Sequence, residues 1–116
     1  MEQETVAEKS LDFAVRVVNV RKYLTAKKKE YVLSKQLLRS GTSIGANIAE
    51  GQRGQSKADF AAKMCIALKE AGETEYWLRL LYRTGYLSQK QYNSLLEDLS
   101  ELLKMLTAIF KSVNDK

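Results

Sequence analysis

Apolar residues recur at spacings of three and four along most of the chain, which is the periodicity of amphipathic α-helices. The pattern is interrupted by short polar or glycine-containing segments. Four helices are therefore predicted, at about residues 5–26, 31–52, 56–84 and 88–113. Proline, the strongest helix breaker, is absent. The sequence predicts an all-α protein, and the short turns favour an antiparallel up-down-up-down four-helix bundle in one domain, residues 1–116.

Residues typical of helix ends lie at the boundaries between these segments. Ser88 and Gln91 have the spacing of a capping box at the start of the fourth helix. Gly85 is predicted to end the third helix in the left-handed conformation that glycine adopts at low energy. Gly51 and Gly54 are predicted to play the same part at the end of the second helix.

The second predicted helix contains small residues where a bundle usually has larger ones. Its apolar stripe consists of Leu33, Leu37, Gly41, Ile44 and Ile48. A glycine inside a helix costs about 1 kcal/mol relative to alanine, so Gly41 and Gly45 require a compensating tertiary contact. We expect another helix to approach closely here, with the second helix at the centre of the bundle.

A polar row lies beside this stripe, and one carboxylate interrupts the main apolar face of the third helix. The row includes Ser43, Asn47 and Glu50, and the carboxylate is Glu75. A buried carboxylate must be paired, hydrogen-bonded or protonated, and Arg39, Ser43 and Asn47 are its predicted partners. We interpret these five residues as a structural polar brace. The alternatives are a binding or channel-lining row and, for Glu75, a catalytic acid that lacks a second reacting group.

Two helices are apolar over more of their circumference than one packing face needs. The additional positions are Leu11 and Val18 in the first helix and Ile66, Trp77 and Leu80 in the third. Surplus apolar surface of this kind is typical of a subunit that packs against its own copies. These five residues are the predicted interface of a homo-oligomer.

The formal net charge of +5 is concentrated in the first half of the sequence. Between Lys9 and Arg53 there are ten basic residues and three acidic ones. The candidate phosphate contacts are Arg21, Lys22, Lys27, Lys28, Lys29 and Lys35. A basic surface attracts nucleic acid. The alternative, favoured on charge alone, is a solvated surface with a lysine-rich turn.

Other features limit the chemistry that we expect. Histidine is absent and Cys65 is the single cysteine, which excludes a multi-cysteine zinc site and an internal disulfide framework. We predict no catalytic residue, cofactor or metal site, and expect a protein that is not an enzyme. A set of aromatic residues interleaved with Arg79 and Arg83 offers base stacking, but core or interface packing is the favoured interpretation. The aromatic residues are Tyr76, Trp77, Tyr82, Tyr86 and Tyr92. With no apolar run of about 20 residues and no signal-peptide pattern, we expect a cytoplasmic protein without a membrane partner.

The second helix carries a longer motif. Ser43-Ile44-Gly45-Ala46-Asn47-Ile48-Ala49-Glu50-Gly51, preceded by Gln36-Leu37-Leu38-Arg39-Ser40, resembles the signature of a bacterial four-helix-bundle family. The family is named for reading frames in intervening sequences of 23S rRNA genes and has been labelled ribosomal-protein-like. The resemblance implies an antiparallel bundle that assembles into a ring-shaped pentamer. It also implies kinship with accessory proteins of diversity-generating retroelements, which bind nucleic acid and a reverse transcriptase.

Two functions are consistent with these features. The leading hypothesis is a non-enzymatic oligomer that binds RNA or a ribonucleoprotein through its basic half. The alternative is a protein-interaction scaffold, such as a reverse-transcriptase accessory subunit, with no direct specific recognition of RNA.

Overall fold

All four predicted helices are present in the computed structural model, which describes residues 4–114. They are α1 (Val6–Lys27), α2 (Leu33–Gln52), α3 (Lys57–Arg83) and α4 (Gln89–Asn114). Each helix begins and ends within two residues of the prediction. Residues 4–114 contain no β-strand, and none of their helices combines the length and apolar content needed to span a lipid bilayer.

The helix ends explain the accuracy of these boundaries. Ser88 Oγ accepts a hydrogen bond from the Gln91 N–H at 3.1 Å, and Gln91 Oε1 accepts one from the Ser88 N–H at 2.8 Å. The predicted capping box is therefore confirmed. Gly85 has a φ of 87°, as predicted for the residue that follows α3.

The prediction for the end of α2 is wrong. Neither Gly51 nor Gly54 has a positive φ. Gly51 lies inside the last turn of α2, where an added β-carbon would stand 2.9 Å from Met64 Cε. Gly51 therefore lies against Lys63 and Met64 of α3 and does not form a left-handed cap.

The helices pack around one continuous apolar core. α2 packs against α1 and α3, and α4 packs against α3 and, less extensively, α1. The largest fully buried side chains are Phe13 and Leu24 from α1, Leu37, Ile44 and Ile48 from α2, Met64, Leu78 and Leu81 from α3, and Leu95, Leu99, Leu102 and Leu106 from α4. Every helix thus contributes its apolar stripe to the same interior.

The glycines of α2 permit the close helix contact that the sequence predicts. A β-carbon on Gly41 would lie 2.8 Å from Val17 Cγ2 of α1, and one on Gly45 would lie 3.0 Å from Ser10 Oγ. Both distances are shorter than ordinary van der Waals contact. The expectation of a close approach at α2 is confirmed.

Candidate functional site

The turn between α1 and α2 carries three consecutive exposed lysines, Lys27, Lys28 and Lys29. The Leu24 carbonyl of α1 accepts hydrogen bonds from the N–H groups of Lys28 at 3.1 Å and Glu30 at 3.0 Å. Lys29 adopts a φ of 57°, in the left-handed region that is uncommon for residues other than glycine. The backbone of this turn is therefore fixed while its three charged side chains extend into solvent.

Glu30 fixes the other side of the turn. Its buried carboxylate accepts hydrogen bonds from the backbone N–H groups of Val32 (3.0 Å), Leu33 (2.8 Å) and Ser34 (2.7 Å) at the start of α2. Burial raises the pKa of Glu30, but these hydrogen bonds outweigh it and leave the pKa below its usual value. The single carboxylate of the turn is thus directed at the positive end of α2.

The turn between α3 and α4 lies at the same end of the molecule. Tyr23 of α1, Leu87 and Gln91 line one groove there. On the other side of the bundle Thr74 of α3 contacts Ser40 of α2, with 3.0 Å between their hydroxyl oxygens. Residues beyond Thr74 along α3 therefore extend toward the lysine turn.

We call this part of the molecule, residues 19–36 and 76–96, the basic end. It carries nine cations: Arg21, Lys22, Lys27, Lys28, Lys29, Lys35, Arg79, Arg83 and Lys90. Glu30 is its one carboxylate, so its formal charge is +8, whereas the rest of the sequence carries −3 of the total +5. Arg21 is half-buried and the other eight are exposed.

None of these nine cations forms an ion pair with another residue of the described part of the chain, residues 4–114. The cations that do form ion pairs are Lys9, Arg16, Arg39 and Lys63, all outside the basic end. The charge of the basic end is therefore available to an anionic partner.

Sequence reasoning named six of the nine cations as phosphate contacts, named Arg79 and Arg83 only beside the aromatic residues, and missed Lys90. The six predicted phosphate contacts all lie at the basic end. Arg79, Arg83 and Lys90 were not grouped with the six because charge was counted along the sequence. The short turns of the predicted bundle were the signal that could have found them, since they bring the end of α3 beside the first turn.

The predicted brace is present in a different form. Arg39 forms an ion pair with Glu73 and approaches Glu70 at 3.7 Å, both on α3. Glu50 forms an ion pair with Lys63 at 2.7 Å. Two of the predicted brace residues thus link α2 to α3, through partners that the sequence analysis did not name.

The prediction that Glu75 is buried and braced is wrong. The Glu75 side chain is exposed and forms no hydrogen bond or ion pair with the rest of residues 4–114. The buried residue that faces α2 is Thr74, about 100° away around the helix. Leu68 and Tyr82, which lie on the Glu75 side of the apolar stripe of α3, are only half-buried, so the centre of the buried face lies away from Glu75.

Ser43 and Asn47 also differ from the prediction. Ser43 Oγ donates to the Arg39 carbonyl at 2.6 Å, and Asn47 Nδ2 donates to the Ser43 carbonyl at 2.8 Å. These bonds lie within α2, so neither side chain braces it against a neighbouring helix. Short polar side chains in a helix commonly bond to the carbonyl one turn before them.

The five predicted interface residues differ in how much of each side chain is exposed. Leu11 is 65% exposed, and Val18 and Ile66 are also exposed, whereas Trp77 and Leu80 are half-buried. The structure adds four exposed apolar side chains that the prediction lacked: Val15, Tyr31, Val32 and Tyr76. Leu11, Val15 and Val18 form one stripe on α1, opposite its buried face.

Residues 4–114 contain no group of three or more histidine, cysteine, aspartate or glutamate side chains arranged to hold a metal ion. Cys65 is exposed and not in a disulfide. The basic end offers lysine and arginine side chains, which are groups that bind anions.

Residues 2–108 match the family described as 23S rRNA-intervening sequence protein. The chain belongs to that family. It is 58% identical to a protein of unknown function from the S23 ribosomal protein family of Bacteroides thetaiotaomicron VPI-5482, whose crystal structure it matches with a TM-score of 0.91. The match covers 92% of this chain and 99% of that chain. A comparison with curated proteins finds no match. The predicted membership of the 23S rRNA-intervening sequence protein family is confirmed.

Proposed function

We propose that this member of the 23S rRNA-intervening sequence protein family is a non-enzymatic, oligomeric bundle that binds RNA or an RNA–protein complex through the basic end. The observation that carries the proposal is the set of nine cations without ion-pair partners in residues 4–114, accompanied by one carboxylate that caps a helix. A surface of this composition favours a polyanion over a neutral partner.

The mechanism is electrostatic. Lysine and arginine side chains that contact phosphates release the counterions condensed on the nucleic acid, so affinity falls steeply as salt rises. Contacts to phosphate fix position and orientation but carry little sequence information. We therefore expect affinity for many RNA sequences, with the hydrogen bonds of Glu30 holding the lysine turn in place.

Two triple variants with the same change in net charge test this proposal. In the first, Lys27, Lys28 and Lys29 are replaced by glutamine. In the matched control, three exposed cations outside the basic end, Arg53, Lys57 and Lys111, are replaced in the same way.

We expect the first variant to bind RNA at least about 10-fold more weakly, and the slope of log affinity against log salt to fall by about 2–3. The control is expected to stay within about twofold of the wild type, because its substitutions are remote from the binding surface. An RNA affinity that is insensitive to salt, or an equal loss in both variants, would contradict the proposal.

We further propose that the bundle is antiparallel and assembles into the ring-shaped pentamer that the family resemblance implies. The contacts of Gly41 with Val17 and of Gly45 with Ser10 support the antiparallel arrangement. The exposed apolar side chains of Leu11 and neighbouring α1 positions support an intersubunit contact, since large exposed apolar patches are uncommon on monomers. Light scattering at micromolar concentration tests this, and a monomer would contradict it.

A protein-interaction scaffold is the second candidate. The stripe of Leu11, Val15 and Val18 favours it if the ring leaves these side chains uncovered. A purified complex with a single protein, stable to nuclease and lost when Val15 is changed to aspartate, would support the scaffold.

A further inference from the structure

Tyr76 is the one aromatic side chain of α3 that is largely exposed, at 58%. Its ring contacts the edge of the Trp77 ring, with centroids 5.0 Å apart and planes at 78°. Trp77 is half-buried, and its Nε1 donates a 3.2 Å hydrogen bond to Glu73. Glu73 in turn pairs with Arg39 of α2. The exposed ring is therefore supported by a series of contacts that reaches the neighbouring helix.

Two arginines lie beside this ring. Tyr76, Arg79, Leu80 and Arg83 line one groove on the surface of α3. Their spacing of three, four and seven residues places them on one face of the helix. Arg79 and Arg83 are exposed and belong to the basic end. The groove thus combines a flat aromatic surface with two guanidinium groups that are not paired within residues 4–114.

We propose that this surface, the Tyr76 groove, binds an unpaired nucleotide of single-stranded RNA. The base would stack on the Tyr76 ring while Arg79 and Arg83 contact the flanking phosphates. This inference rests on the proposed RNA-binding function and adds the form of RNA that is preferred. Bases inside a duplex have no free face for an aromatic side chain, whereas unpaired bases are commonly recognised by stacking.

The groove shares one residue, Leu80, with the predicted subunit interface, but its centre lies away from the other two interface residues of α3. Ile66 and Trp77 lie about 80–100° around α3 from Tyr76, on the side that faces α2. Like charges that face each other across an interface are unfavourable, and a second copy of this chain would bring a further net charge of +5 to the groove. A groove with two adjacent arginines is therefore better matched to a phosphate-bearing ligand than to a second copy of this basic chain.

Trp77 makes the inference directly testable, because it is the only tryptophan of the sequence. The probes are a single-stranded RNA of about 12 nucleotides and the duplex formed with its complement. Binding is measured by Trp77 fluorescence and, independently, by anisotropy of a labelled RNA. The variants are Tyr76→Leu, which keeps an apolar side chain but removes the ring, and Tyr76→Phe, which keeps the ring.

Tyr31→Leu is the matched control, since Tyr31 is another exposed tyrosine of the basic end but makes no ring contact within residues 4–114. We expect Tyr76→Leu to weaken single-strand binding by about 10-fold or more, the loss of one stacked base. Duplex binding by Tyr76→Leu, and single-strand binding by Tyr76→Phe and Tyr31→Leu, should stay within about twofold of the wild type. Circular dichroism establishes that each variant is folded.

Single-strand binding by Tyr76→Leu at wild-type strength would overturn the assignment of the groove. In that case, a loss of RNA affinity in the variant with glutamine at positions 27, 28 and 29 would leave the proposed RNA-binding function standing without the Tyr76 groove. Absence of RNA binding by the wild type would overturn both. A change of oligomeric state in Tyr76→Leu, measured by light scattering, would assign the groove to a second copy of the chain and also overturn the inference.

Discussion

Gly41 of α2 and Val17 of α1 lie so close that a β-carbon added to the glycine would stand 2.8 Å from Val17 Cγ2 and 3.0 Å from Cγ1. Val17 is 1% exposed, and its β-branched side chain has few alternative rotamers. The contact therefore cannot be relieved by rotating one flexible side chain. The distance between α1 and α2 depends on the absence of a side chain at this position.

Gly41→Ala is expected to lower the free energy of unfolding by about 1–2 kcal/mol, because the overpacking penalty exceeds the gain in helix propensity. Adding Val17→Ala should partly restore stability by making room for the new methyl group. Gly72→Ala is the matched control: Gly72 is exposed in α3, with nothing within 4 Å of an added β-carbon. For Gly72→Ala we expect the free energy of unfolding to rise by about 0.5–1 kcal/mol. Urea unfolding of the wild type and the three variants measures these changes. Equal effects at Gly41 and Gly72 would contradict the conclusion that the spacing of α1 and α2 depends on Gly41.

A second buried contact between helices involves two hydroxyl groups. Thr74 Oγ1 lies 3.0 Å from Ser40 Oγ and 2.7 Å from the Glu70 carbonyl oxygen, and both side chains are fully buried. Thr74→Val removes one hydroxyl and leaves the other poorly bonded, with an expected cost of about 1–2 kcal/mol. Ser40→Ala together with Thr74→Val should cost less than the sum of the single changes, by about 0.5–1 kcal/mol. Additive effects in denaturant unfolding would show that the hydroxyls are not coupled.

The helices of this protein were predictable because local chemistry and tertiary packing agree there. Ser88 and Gln91 cap α4 in both the sequence pattern and the structure. Gly41 could be assigned to a helix contact because a helical glycine is unfavourable unless it is compensated. Glu75 was misplaced because apolar spacing cannot distinguish a fully buried stripe from its half-buried margin.

The functional surface was only partly predictable. Lys27 and its neighbours stand out in the sequence, but the role of Glu30 does not, because Glu30 lies three residues before the first helical residue of α2 and its capping bonds depend on the turn geometry. Arg79 and Arg83 join the lysines only when the chain folds back on itself. The proximity of these arginines to the lysines depends on helix length and topology, and counting charged residues along the chain does not reveal it.

The pair of Glu73 and Trp77 provides a spectroscopic prediction. The Trp77 indole N–H and then the Arg39 guanidinium hold the pKa of Glu73 below its usual value, against the opposite effect of partial burial. We therefore expect Trp77 emission to change as the pH falls below 4.5, the ordinary value for glutamate, when protonation weakens the hydrogen bond. Glu73→Gln should abolish this transition, whereas Glu30→Gln should leave it in place. Far-UV circular dichroism separates it from acid unfolding, and a transition that persists in Glu73→Gln would contradict this origin.

Glu30→Gln is expected to destabilise the protein by about 1–3 kcal/mol at neutral pH, because an amide replaces a buried charged acceptor of three backbone N–H groups. The folded-state pKa of Glu30 is lowered, so its stabilising contribution is fully present above 4.5 and is lost as the pH falls through that lowered value. The difference in stability between the wild type and Glu30→Gln should therefore be largest near neutrality and shrink in acid.

Glu75→Gln is the matched control, since Glu75 is exposed and unpaired within residues 4–114, and it should leave stability unchanged. Urea unfolding at several pH values measures the difference, and a gap between wild type and Glu30→Gln that stays constant or widens in acid would show that the carboxylate does not act as the cap of α2.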